Sequence, residues 1–68
     1  MVNMAKVVLP QMIDYYRKQN NMTMAELGSK IGKTTSAISR WVSGSRSPMV
    51  DDLERLSALF NVAIKTLM

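Results

Sequence analysis

The sequence predicts a compact all-α domain of about five short helices. Apolar residues recur three and four positions apart along successive stretches of the chain, which is the period of a helix buried on one side. Clusters of Gly, Asn, Ser and Pro separate these stretches, and no stretch has a strong strand pattern. A chain of 68 residues has room for one core, so we expect residues 10–68 to form a single domain, preceded by residues 1–9 as an N-terminal arm or extension.

The first helix is predicted from Pro10 to about Asn20. Proline fits the first turn of a helix, where its missing N–H is not needed. Ile13 and Tyr16, with Met12 beside them, fall on one side, and the pair Asn20 and Asn21 favours an exit from the helix.

The second helix is predicted to begin at Met24. Thr23 followed three residues later by Glu26 is a capping box, which satisfies two otherwise unpaired backbone donors. Gly32 ends this helix, because glycine adopts the left-handed conformation at little cost. The apolar residues between these signals form one stripe, at Met24, Leu27 and Ile31.

A third helix is predicted from Thr35 to Ser43, since Thr34 is a second good cap. Its inward positions are Ala37, Ile38 and Trp41. We interpret Trp41 as a core residue and not as a stacking platform for bases. Two short helices joined by so tight a glycine turn must cross at a steep angle, and this is the helix-turn-helix arrangement.

Residues 43–48 are rich in Ser, Gly and Pro and predict a surface loop. A fourth helix follows from about Val50 to Asn61, with inward residues at Leu53, Leu56, Leu59 and Phe60. Its first turn carries acidic residues that we interpret as solvated charges matching the helix dipole, at Asp51, Asp52 and Glu54. A final short turn over residues 62–68 is predicted to cover the core with Ile64, Leu67 and Met68.

The composition excludes several classes of function. Without Cys or His the chain lacks the usual soft metal ligands, disulfides and the commonest general base, so we expect no metal, no cofactor, no enzymatic activity and no small-molecule substrate. The acidic residues after position 50 have no nucleophile or base beside them. The absence of cysteine fits a reducing compartment best. The apolar start is too short to span a membrane and lacks a cleavage signal, so we expect that compartment to be the cytoplasm.

The charge distribution favours a polyanionic partner. The formal net charge is +4, and between Arg17 and Arg46 six basic residues face Glu26 alone. The acidic residues cluster just afterwards, so one part of the surface is predicted to be basic and another acidic. Nucleic acid and an anionic membrane surface are the first partners that such a small basic domain suggests.

One set of residues, from the first helix to the C-terminal turn, forms a recognisable pattern: Ile13, Tyr16, Arg17, Thr23, Leu27, Ile31, Gly32, Ile38, Ser39, Arg40, Trp41, Gly44, Pro48, Leu53, Leu56, Leu59 and Val62. In these residues, from about Ile13 to the C-terminus, the chain resembles the lambda-repressor-like family of Cro and CI proteins. The resemblance implies a phage or prophage regulator of transcription, acting in a bacterial host cell. Three positions depart from the usual family pattern: Met24 stands where Gln is frequent, Gly28 where Ala is usual, and Val42 where Glu is common.

The resemblance implies that the third helix enters the major groove of duplex DNA, where each base pair displays a distinct pattern of donors and acceptors. Arg40 can donate two hydrogen bonds to guanine, whereas Thr and Ser are permissive readers. The predicted base contacts are Thr35, Ser36, Ser39 and Arg40. The predicted phosphate contacts, at helix starts and in the loop, are Thr23, Lys33, Thr34, Ser43, Ser45 and Arg46.

Members of this family usually bind as two-fold dimers, so a homodimer on DNA is expected from the resemblance. The sequence offers two candidates for the dimer interface. One is the N-terminal segment, residues 7–9, and the other is formed by the C-terminal residues Val62, Ile64, Leu67 and Met68. The N-terminal segment could equally be an arm that brings Lys6 to DNA, or an extra turn of the first helix. The alternative function is that of an antirepressor that masks another regulator protein, suggested by the apolar Met24 and Val42.

Overall fold

The computed structural model describes residues 10–67, which form four α-helices followed by one 3₁₀ helix. The elements are α1 (Pro10–Gln19), α2 (Met24–Ile31), α3 (Thr35–Ser43), α4 (Val50–Phe60) and the 3₁₀ helix (Ile64–Leu67). The described residues contain no strand, so the all-α class is confirmed, although the fifth element is a 3₁₀ helix. The predicted N-terminal arm, with Lys6 and residues 7–9, and Met68 lie outside the described residues.

Two threonines begin the central helices as predicted. The backbone N–H of Glu26 donates to Thr23 Oγ1 at 3.0 Å, and the N–H of Thr23 donates back to Glu26 Oε1 at 2.8 Å. The N–H of Ala37 donates to Thr34 Oγ1 at 3.1 Å at the start of α3. Each cap satisfies a donor that has no partner inside its helix, so both helix starts are fixed by neighbouring residues.

Left-handed residues follow the α-helices. Gly32, with φ of 73°, ends α2, and Gly44, with φ of 85°, ends α3. Asn61 ends α4 with φ of 57°, and Asn21 follows α1 with φ of 56°. Asparagine tolerates this conformation better than most residues, because its short polar side chain can bond locally. The short Gly32 turn sets α2 against α3, as predicted for a helix-turn-helix.

All five helices contribute to one core. Trp41 is only 5% exposed, so its interpretation as a core residue is confirmed. The ring of Tyr16 stacks on Phe60 with centroids 5.7 Å apart. The buried apolar residues are Ile13, Leu27, Ile31, Ile38, Trp41, Leu53, Leu56, Phe60 and Leu67. Within residues 10–67 no helix has the length and apolar character needed to cross a membrane.

The three departures from the family pattern have local explanations. Met24 and Val42 are partly buried and pack against the core, which accounts for apolar side chains at both positions. At Gly28 an added Cβ would lie 2.5 Å from the carbonyl oxygen of Lys33, while the Lys33 N–H donates to the Gly28 carbonyl at 2.7 Å. The absence of a side chain at Gly28 therefore lets the α2–α3 turn pack directly on α2.

Candidate nucleic-acid interface

One face of α3 is polar and open to solvent. Ile38 and Trp41 bury the opposite face, so the core holds the helix from behind. Successive residues of an α-helix are rotated by about 100°, which places positions i, i+1, i+4 and i+5 on one side. The four predicted base contacts have this spacing and are all exposed: Thr35, Ser36, Ser39 and Arg40.

A cleft of about 200 Å³ adjoins this face. Its walls come from α3, the turn before α3, the segment that leads into α4, and the first turn of α4. Arg40 belongs both to the exposed face of α3 and to the cleft, which makes the two features continuous. The lining residues are Lys33, Ala37, Arg40, Trp41, Arg46, Ser47, Met49 and Asp52. The structure thus brings together three predicted DNA contacts, Lys33, Arg40 and Arg46, although Lys33 and Arg46 are far apart in the chain.

The burial of Asp52 differs from the prediction. This residue was predicted to be a solvated charge, but it is only 3% exposed. Asp52 Oδ2 accepts the Met49 N–H at 3.1 Å, and Oδ1 lies 3.2 Å from Lys33 Nζ and 3.7 Å from Arg55 Nη1. The prediction was wrong because the balancing Lys33 lies 19 positions earlier in the chain and approaches only in the folded state. Asp51 and Glu54 are exposed, as predicted.

Ser43 and Ser45, two of the predicted phosphate contacts, form hydrogen bonds at the C-terminal end of α3. The hydroxyl of Ser43 donates to the carbonyl of Arg40 at 3.1 Å, and the hydroxyl of Ser45 reaches the same carbonyl at 3.4 Å. The backbone N–H groups of Ser45 and Arg46 also donate to that carbonyl, at 3.0 and 3.3 Å. These donors stabilise the C-terminus of α3, and a phosphate would have to compete with that carbonyl for them.

Thr23 and Thr34 are exposed at the starts of α2 and α3. Both hydroxyl oxygens accept the capping hydrogen bonds described above, and each hydroxyl keeps its own proton for donation. The backbone N–H of Thr23, and then its side chain, hold the pKa of Glu26 below its usual range. Glu26 therefore stays ionised at the start of α2, where the helix dipole also favours a negative charge.

Arg17 has a structural role that the sequence analysis did not predict. Its guanidinium is only 14% exposed and donates to Asp14 Oδ1 through Nη2 at 2.6 Å and through Nε at 3.1 Å. Nη1 donates to the carbonyl of Met22 at 2.8 Å. Arg17 therefore joins α1 to the α1–α2 loop. The available signal was Asp14, three residues earlier on the same helix.

The chain is similar to known proteins over most of its length. The helix-turn-helix family model matches residues 13–67. Among curated protein sequences no relative matches the chain. SinR, a master regulator for biofilm formation, was solved in complex with DNA; it is 31% identical, covers 88% of this chain and 100% of its own, and has a TM-score of 0.81. The N-terminal DNA binding domain of SinR comes from Bacillus subtilis.

Two further solved structures share the fold. The P22 c2 repressor in complex with a synthetic operator is 25% identical, with 93% of this chain and 96% of that chain covered and a TM-score of 0.84. The hydroxypropylphosphonic acid epoxidase of S. wedmorenis is 23% identical, with 87% of this chain but 31% of the epoxidase covered and a TM-score of 0.77, which shows the fold alone. The chain therefore belongs to the helix-turn-helix family, as a lambda-repressor-like domain, and the resemblance seen in its sequence is confirmed.

Proposed function

We propose that this protein is a transcriptional repressor that binds duplex DNA sequence-specifically in a bacterial cytoplasm, with α3 in the major groove. The observation that carries the proposal is the exposed polar face of α3, with Arg40 continuous with a cleft that is also lined by the exposed Arg46. Attraction to phosphates requires cations, and reading of bases requires a helix that fits the major groove. This part of the surface has both. Two relatives, SinR and the P22 c2 repressor, were solved in complex with DNA, which supports the same role here.

In this proposal Arg40 is the main source of sequence discrimination. A guanidinium can donate to the O6 and N7 atoms of one guanine, and this geometry distinguishes guanine from the other bases. Ile38 and Trp41 fix the backbone of α3 from behind, so the ordering cost on binding falls mainly on the exposed side chains. The shorter hydroxyl side chains of Thr35, Ser36 and Ser39 make additional, less selective contacts.

The phosphate contacts are best supported at Thr23, Thr34 and Arg46. All three are exposed, and Arg46 lines the cleft together with Arg40. Ser43 and Ser45 are weaker choices because their hydroxyls already bind the Arg40 carbonyl. Contacts of this kind set the position of the protein on DNA without reading its sequence.

We further propose that the chain binds as a homodimer on two half-sites about one helical turn apart. Support comes from the small size of one domain, which offers a limited surface to DNA. Of the C-terminal residues predicted to form the interface, Leu67 is fully buried in the core of its own chain. Val62 and Ile64 are only partly buried and remain the better choices.

The observation that suggested the antirepressor alternative no longer supports it. It rested on the apolar Met24 and Val42 as a surface for another protein, and both pack against the core of this chain. An apolar partner interface would also show little dependence on salt, whereas binding to phosphates weakens steeply as salt rises.

Selection from a random duplex library, followed by titration of the selected duplex against salt, tests the proposal. We expect the native chain to enrich one sequence and Arg40→Ala to lose about 1–3 kcal/mol of discrimination at one base pair. Lys65→Ala is the matched control, because it removes an exposed positive charge from the distant 3₁₀ helix. Absence of duplex binding at low salt, or equal effects of the two substitutions on discrimination, would refute the proposal.

A further inference from the structure

A carboxylate lies inside the cationic cleft beside the proposed DNA-reading face. Asp52 lines this cleft together with Lys33, Arg40 and Arg46. Its distance to Lys33 Nζ is 3.2 Å, and this ion pair joins the α2–α3 turn to α4. The other ion pairs within residues 10–67 connect positions three or four apart on one helix. The Lys33–Asp52 pair is therefore a tertiary contact at the edge of the proposed interface.

Lys33 is better stabilised by Asp52 than by a phosphate. The side chain of Asp52 is 5% exposed, so its charge has little access to water. Without Lys33 this charge would keep only the Met49 N–H at 3.1 Å and Arg55 Nη1 at 3.7 Å. Removing one partner of a buried ion pair is strongly unfavourable, whereas one more phosphate contact contributes less, about three- to tenfold in affinity near 0.1 M salt.

The backbone of Lys33 is also fixed. Its N–H donates to the Gly28 carbonyl at 2.7 Å, and its own carbonyl packs where a side chain at Gly28 would lie. The backbone of Lys33 therefore cannot shift toward a phosphate without disturbing the turn, and its ammonium is already held 3.2 Å from Asp52 Oδ1.

We infer that Asp52 keeps Lys33 out of the set of phosphate contacts and so limits the sequence-independent affinity of the protein for DNA. This inference rests on the proposed DNA-binding function. It assigns Asp52 as a positioning residue that acts through Lys33 and touches no base. Of the three cations around the cleft, Arg40 and Arg46 then serve the DNA and Lys33 serves the fold.

The substitution Asp52→Asn separates charge from shape. Asparagine keeps a carbonyl oxygen that can accept the Met49 N–H, but it cannot hold the Lys33 ammonium by charge. The released Lys33 adds one phosphate contact per chain. For each bound chain, we expect the plot of log K against log salt to steepen by about 0.9 and affinity for a mixed-sequence duplex to rise about three- to tenfold near 0.1 M salt.

Asp51→Asn is the matched control, because it changes net charge equally at the exposed neighbouring position. Binding of a fluorescein-labelled mixed-sequence duplex would be measured by anisotropy at several salt concentrations for the native chain, both Asn variants, Lys33→Ala and Lys33→Ala/Asp52→Asn. Circular dichroism would confirm that each variant is folded. We expect Lys33→Ala alone to leave the slope unchanged, and the double variant to lose the steepening seen with Asp52→Asn.

Two results would overturn the inference while leaving the proposed function intact. One is a Lys33→Ala slope shallower than the native slope by about 0.9 for each bound chain, since Lys33 would then already contact a phosphate. This result does not depend on Asp52→Asn being folded. The other is an equal gain in affinity for Asp51→Asn and Asp52→Asn, which would reduce the effect to net charge. Absence of binding by every variant would overturn both proposals together.

Discussion

Arg17 and Arg46 occupy opposite kinds of site although the sequence presents both as members of one basic stretch. Arg17 is partly buried and donates to Asp14 and to the Met22 carbonyl, so its charge and its donors serve the fold. Arg46 is exposed in the cleft beside Arg40, and within residues 10–67 its side chain forms no hydrogen bond or ion pair. A count of positive charges in the sequence therefore includes cations that stabilise the fold and cations that are free to bind a partner. Only the folded structure distinguishes the two kinds.

The largest effect is expected from breaking the structural side of this comparison with Arg17→Met. Both Asp14 and the Met22 carbonyl would lose a charged donor, so the free energy of unfolding should fall by about 1.5–3 kcal/mol. Urea denaturation measures this loss. The control Arg46→Ala should change stability by less than about 0.5 kcal/mol. Equal losses for the two variants would contradict the division between structural and available cations.

A smaller effect is expected from Gly28→Ala, which disturbs the backbone that carries Lys33. The added Cβ would lie 2.5 Å from the Lys33 carbonyl oxygen, so the turn must shift. Overpacking costs about 1–3 kcal/mol, and the better helix propensity of alanine offsets up to about 1 kcal/mol. We expect a net loss of unfolding free energy in urea denaturation, with the exposed neighbour Ser29→Ala as control. A gain in stability for Gly28→Ala would show that the turn adapts freely.

Thr34→Ala sharpens the comparison at a residue with two proposed roles. Loss of the cap on α3 should lower the free energy of unfolding by about 1 kcal/mol. Thr34→Ser keeps a capping hydroxyl and should be close to native in both stability and DNA affinity. If Thr34 also binds a phosphate, DNA affinity of folded Thr34→Ala will fall, as measured by anisotropy under conditions where circular dichroism shows the helix content to be native. Unchanged affinity would leave Thr34 with its capping role alone.

The smallest effect is a pH dependence from Asp14. Hydrogen bonds from Arg17 and then Lys18 hold the pKa of this carboxyl below its usual value. A lowered pKa in the folded state gives stability that is present above the unfolded pKa and is lost as the pH falls through the folded pKa. We expect the stability difference between the native chain and Asp14→Asn to shrink as the pH falls below about 4. A difference that stays constant from pH 7 to the acid range would contradict this assignment.

The local features of the fold could be predicted from sequence because neighbouring residues determine them. The capping pair Thr23 and Glu26, the left-handed Gly32 and the inward stripes of the helices need only short-range information. Asp52 could not be placed correctly, since its burial depends on Lys33 from a different element. The exposed face of α3 could be predicted from helical spacing alone. The cleft beside it could not, because its wall at Met49, which is 73% exposed, depends on how the loop before α4 packs.

The left-handed residues after the α-helices also bear on how quickly the chain can fold. A helix that stops at Gly32 or Gly44 is terminated by its own residues before any distant contact forms, so the search for the native state begins with helix boundaries already restricted. Only the pairing of helices along a short chain remains to be found. Small helical domains, in which most contacts join residues close in the sequence, fold within microseconds to milliseconds. We expect this protein to refold on that timescale.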